Sequence, residues 1–149
     1  MSGFTTKLRA GIGAMLDDAN VVTWTDSGTV STSASPPPAY HHLYPDSPDV
    51  AVALTTYYAG GDAPAAPDSV VMLQVRTRSS ATDDTLADDL DDAIASELLG
   101  HYPMTLSTGV VISVITRSSG SPIGRDARGR LERTTNYRLL AYDPGPHRG

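Results

Sequence analysis

Four histidines, a run of aspartates and a cluster of arginines are the residues whose types invite chemistry. His41, His42, His101 and His147 have no spacing that sets three ligands on one metal, so they read as surface or loop histidines. Asp83, Asp84, Asp88, Asp91 and Asp92 superficially suggest a magnesium–diphosphate site. Such a site needs acidic helices facing one another across a deep cavity, and the sequence offers one acidic helix; a solvated helix face is the better reading. Gly11-Ile12-Gly13 follows no strand and lacks the third glycine of a dinucleotide fingerprint. Gly120-Ser121-Pro122 lacks the flanks of a nucleophile elbow. With no cysteine, a thiol nucleophile, a thiolate zinc site and a disulfide are all excluded. The sequence therefore assigns no catalytic, metal or cofactor residue, and catalysis is unsupported.

The arginines are different. Val110 to Thr116 and Glu132 to Tyr142 read as strands, and Ser118 to Leu131 between them reads as a long polar loop holding Gly120, Gly124, Gly129, Pro122, Arg125, Arg128 and Arg130. Hairpin loops usually hold two to five residues, so a much longer one held between good strands reads as an arm built to touch something. Two readings stand side by side. In one, planar guanidinium forks dock on an acidic partner or on phosphate. In the other, the arginines stay hydrated or pair with Asp126 and Glu132.

The elements that position this arm follow from periodicity. Ser2 is a candidate N-cap for a helix whose Phe4, Leu8, Ile12, Met15 and Leu16 share a face, ending near Asp18 or Asn20. Gly11 and Gly13 inside it weaken the helix or permit close approach of a neighbour. Val21–Thr25 is a short strand, and Asp26–Asp49, with Pro36-Pro37-Pro38, is loop. Val50–Tyr58 is a strand, Gly60 to Pro67 a turn, and Ser69–Arg78 an amphipathic strand with Val71, Leu73 and Val75 inward and Gln74, Arg76 and Arg78 outward. A second helix spans Thr82–Leu99 with Gly100 as C-cap and Leu86, Leu90, Ala93, Ile94 and Leu98 buried; Asp88, Asp91 and Asp92 face out. Glu97 on the apolar stripe and Leu99 off it break the pattern in the last turn, which either a packed neighbour or simple fraying would explain.

The expected fold is α+β: a single mixed, mostly antiparallel sheet of about five strands, with two helices on one face and a long hairpin arm. The other face should carry Gln74, Arg76, Arg78, Ser113 and Arg117. Residues 1–143 read as one domain and 144–149 as a frayed tail. The 149 residues suffice for a real core; charged residues are only 19%, Tyr is abundant, and a surface of that kind suits burial against partners. Net charge of −6 argues against broad attraction to nucleic acid or an anionic membrane. No apolar run approaches spanning length and no signal-peptide core is evident, so a reducing cytoplasm, or a particle assembled there, is the expected setting.

SSGSPIGRDARGRLERTTNYRL, with ALTTYYAGGD, SVVMLQVRTR and DDLDDAIASELLG, resembles the tail-terminator and minor-capsid proteins of long-tailed bacteriophages over nearly the whole chain. The resemblance implies a virion subunit, without cofactor, that closes into a homo-oligomeric ring, commonly a hexamer, on the tail tube. There it would end tube growth, meet the major tail tube protein and offer a joining surface to a neck or head-completion protein. DNA would pass through the lumen. Another head-completion or neck protein is the alternative within the same particle, and a nucleic-acid-binding adaptor using the arm is the alternative from another class. Arg117, Arg125, Asp126, Arg128, Arg130, Arg133, Glu97 and Leu99 are the candidate interaction residues.

Overall fold

The computed structural model describes residues 3–24, 35–58, 69–100 and 102–144. The expected Ser2 cap, the Gly60–Pro67 turn, His101, His147 and the tail beyond Pro144 lie outside them.

Helix α1, Phe4–Asp18, forms where the apolar spacing requires it: Leu8, Ile12 and Leu16 are wholly buried, each worth about 1.5–3 kcal/mol in removed apolar surface. Its two glycines are close-approach positions. A Cβ on Gly13 would lie 2.3 Å from the Trp24 ring, and one on Gly11 would lie 2.8 Å from the Leu106 side chain. Asn20, in the left-handed region at φ 62°, turns the chain out of the helix and into β1, Thr23–Trp24. Helix α2, Thr85–Leu98, buries Leu90, Ile94 and Leu98.

One sheet of seven strands runs β1-β2-β3-β4-β7-β6-β5 and curls into a half-barrel. Its members are β1, β2 (Pro38–His41), β3 (Ala51–Tyr58), β4 (Ser69–Arg78), β5 (Met104–Thr105), β6 (Val111–Arg125) and β7 (Leu131–Tyr142). The β1–β2 and β2–β3 pairs are parallel and the rest antiparallel, so the sheet is mixed and mostly antiparallel as expected. Both helices pack on the same side. Arg9 of α1 bonds Thr56, while Ala87 and Asp91 of α2 bond Thr77 and Thr135; the register places those three threonines on one sheet face. Between the layers lie Val52, Leu54, Val71, Leu73, Val75, Tyr137 and Leu139.

Four expectations need correction. Seven strands replace about five, because β2 and β5 are too short to show periodicity. β2 emerges from the proline run, with Pro38 as its first residue, where a missing N–H is tolerated, and Ala39 paired to Val52. The supposed loop 118–131 is mostly strand: β6 continues through Ser118-Ser119-Gly120-Ser121-Pro122 to Arg125, and only Asp126–Arg130 turns. Bulges after Ile112, Arg117 and Pro122 absorb extra residues while the ladder to β7 persists, and Pro122 is admissible because β6 lies at a sheet edge. Asp91, expected outside, is 4% exposed and accepts the Thr135 hydroxyl at 2.8 Å. Arg117 also changes sides, since its partner Tyr137 faces the helices.

Candidate interaction surface

The arm is a two-stranded ribbon ending in a tight turn. Asp126 organises that turn: its carboxylate accepts the backbone N–H groups of Arg128 and Arg130, both at 2.9 Å, and Gly129 supplies φ 78°. The Arg130 backbone N–H, then the Arg130 side chain and the Arg128 backbone N–H, hold the Asp126 carboxyl below the usual carboxylate range against the opposing effect of burial.

Arg130 ties the turn to the body. Its guanidinium, 3% exposed, reaches Asp126 at 2.8 Å, Asp49 at 3.0 Å, and both the carbonyl and carboxylate of Asp46 at 2.6 and 2.8 Å. Burial works to lower its pKa, but the bonds to Asp126, Asp46 and Asp49 outweigh it and the net direction is up. Arg128 adds an exposed pair to Asp46 at 3.2 Å. Arg125 grips Asp84 with both terminal nitrogens, at 2.8 and 2.6 Å, which depresses the Asp84 carboxyl. Arg133 meets Asp88 at 2.7 Å and the buried Asp91 at 3.7 Å.

On the far face of the sheet a second cluster fixes the loop between β2 and β3. Tyr44 lies under the guanidinium groups of Arg78, 4.3 Å away, and Arg76, 5.6 Å away, and its hydroxyl bonds Glu132, which also pairs with Arg76 at 3.2 Å. Arg78, expected to face water, is 3% exposed because it donates to the carbonyls of Pro45, Pro48 and Asp49. Sequence reasoning missed Tyr44, Asp46 and Asp49. The only signal for them was an aromatic and acids within a proline-bearing loop, which no periodicity singles out.

Four of the candidate arginines, Arg125, Arg128, Arg130 and Arg133, are thus engaged within the chain, each with an aspartate. Arg117 has no carboxylate partner among the described residues and stands beside the buried Tyr137 hydroxyl. Glu97 is half-buried near Tyr102, and Leu99 is 41% exposed at the end of α2, away from the arm. The structure therefore gathers the tip residues with loop 45–49 and leaves Arg117, Glu97 and Leu99 apart from them.

What the ribbon does expose is β6 itself. Thr116 to Ile123 are exposed at every position, not alternately, because α2 covers β4 and β7 but not β6 beyond Ile115. Among the described residues β5 pairs only with Val111 and Ile112, and none pairs with the outer edge beyond them. A long open edge is a ready template for another chain. Elsewhere, a cleft of about 460 Å³ between the two helices' ends is lined mainly by Val21, Pro36, Pro37, Val50 and Leu86, and its lining does not converge acid and base groups. No group of three His, Asp or Glu that would hold a metal is present among the described residues.

The family model for bacteriophage tail terminator proteins matches residues 15–143. The chain belongs to that family. The match runs from the end of α1 through all seven strands, so it takes in the tip cluster, the Tyr44 cluster and the outer edge of β6 together. No curated protein matches the chain. Tail terminators are structural tail proteins, which makes this chain a virion component, and among the described residues no helix is long and apolar enough to cross a membrane.

Proposed function

We propose that copies of this chain close into a ring on the end of the tail tube, stop the addition of tube subunits and present the surface to which a neck or head-completion protein attaches. The observation that carries the self-association is the exposed run Thr116–Ile123, a strand whose outer edge has no partner among the described residues, on a subunit whose family is structural. The intrachain pairs of Arg125, Arg128, Arg130 and Arg133 support a rigid edge over a searching arm, and they weigh against an adaptor that grips phosphate through those side chains. The net charge of −6 suits a lumen through which DNA slides without adhering.

The test is polymerisation of the tail tube protein with and without this chain. Capping predicts tubes whose mean length falls as the chain is added, with extra density at one tube end. Unchanged lengths at saturating amounts would remove the capping role.

A further inference from the structure

The loop between β2 and β3 covers one half of the far face of the sheet, where Tyr44 meets Arg76, Arg78 and Glu132. In the other half the register sets Arg138 between Met72 and Thr116 and Leu140 beside Val114, with Tyr142 beyond them. Arg138 is exposed, Val114 is 44% exposed, and Met72, Leu140 and Tyr142 are partly exposed. The water-facing side of an antiparallel sheet is normally polar, so an apolar row holding one cation marks a surface that meets a partner. Arg138 makes no ion pair among the described residues, and residues 69–75, 111–121 and 133–142 contain no acid. The row is continuous with the exposed run Thr116–Ile123, because Thr116 shares its face.

The outer side of α2 is complementary to that row. Asp89, Asp92, Ser96 and Leu99 fall on one side of the helix and are all exposed, Leu99 at 41%. Neither of these aspartates makes an ion pair among the described residues. Along the helix Leu99 lies about 15 Å beyond Asp89. Along β7 Tyr142 lies about 14 Å beyond Arg138. The two surfaces therefore agree in sign of charge, in order and in span.

We infer that the far face of one copy seats α2 of the next, with Arg138 meeting Asp89 and Asp92 and with Leu99 resting on Leu140 and Tyr142. This deepens the ring reading and rests on it. Helix α2 packs on one side of the sheet and the row lies on the other, so the contact joins subunits front to back. A heterologous contact of that kind closes a ring where its rotation closes. Covering Arg138 without a carboxylate would be costly, and that cost fixes the register of the contact.

Charge reversal in the full chain tests this, with circular dichroism to confirm folding. Asp92, which also attracts Arg133, is left unchanged. Arg138→Glu alone and Asp89→Arg alone should each weaken self-association by about tenfold or more, read by sedimentation or by occupancy of tube ends. Leu99→Ser should weaken it by about threefold or more. An equimolar mixture of the two charge variants should recover association, because the reversed face of one then meets the reversed helix of the other; the double variant should recover it also. Association unchanged in any single variant overturns this contact and leaves the ring reading standing. So does a loss that neither the mixture nor the double variant recovers, which would assign the face to the tube protein instead. A wild-type chain that stays monomeric both in solution and on tube ends overturns the ring reading and this contact with it.

Discussion

The Arg130 guanidinium, in the turn between β6 and β7, lies 2.8 Å from the carboxylate of Asp46, 84 residues earlier in the chain. That single contact turns an apparent arm into part of the body, because it fastens the hairpin tip to the loop entering β3. The tip and loop 45–49 then behave as one unit, with Tyr44 packed under Arg76 and Arg78 on its far side.

Arg130→Ala should therefore destabilise the chain by about 1–3 kcal/mol, since three carboxylates lose their shared donor while remaining partly hydrated. Denaturant unfolding measures it. Arg130→Lys should recover little, because one ammonium cannot span Asp46, Asp49 and Asp126 as the fork does. Full recovery by lysine would mean that charge alone, and not the fork, holds the tip.

Gly13→Ala is expected to destabilise by about 1–3 kcal/mol, the reverse of the usual gain from placing alanine in a helix. The added methyl would meet the Trp24 ring at 2.3 Å. Gly11→Ala should be milder, because its methyl would meet Leu106 Cβ, Leu106 Cδ1 and the Thr108 hydroxyl at 2.8 Å, a smaller overlap than that with Trp24. Thermal unfolding and Trp fluorescence, with Trp24 the only reporter, separate the two.

Acid should open the α2 contact of the ribbon. The Asp84 carboxyl is held low by Arg125, and Asp126 by the backbone donors of its turn. A folded pKa below the unfolded one gives stabilisation that is complete above the usual carboxylate range and is lost as pH falls through the folded value, so it fades below about pH 4. Carboxyl titration by NMR should show Asp84 rising toward its ordinary value in Arg125→Ala. An Asp84 that titrates identically in both proteins would contradict the pairing.

At the alkaline end, burial and then the Glu97 carboxylate push Tyr102 up to about 12. Its neutral form favours the fold, so the stabilisation is whole below about pH 10 and is lost as pH climbs toward 12. Burial also raises Tyr40, Tyr44 and Tyr137, so ultraviolet titration should show several late tyrosines, one fewer in Tyr102→Phe, with one titrating somewhat earlier in Glu97→Gln.

Much of the frame was legible because burial imposes a period. Leu8, Ile12 and Leu16, Val71, Leu73 and Val75, and Leu90, Ile94 and Leu98 all fall where spacing puts them. The close approach permitted by Gly13 was legible too, though not that its neighbour would be Trp24. The ribbon was not. Ser, Gly and Pro between 118 and 124 carry loop propensity, and only pairing with β7, interrupted by bulges, makes them strand. The arginine pairs were hidden for the same reason: Arg130 meets Asp46, and Arg125 meets Asp84, across separations that no local spacing records. Asp91 went inside because Thr135, in the strand beneath it, supplies a hydrogen bond.

Electron micrographs of particles assembled without this chain test the central claim most directly. The account predicts tail tubes of uncontrolled length, not joined to heads, with normal tails restored when the purified chain is supplied. Tails of normal length joined to heads in its absence would contradict it.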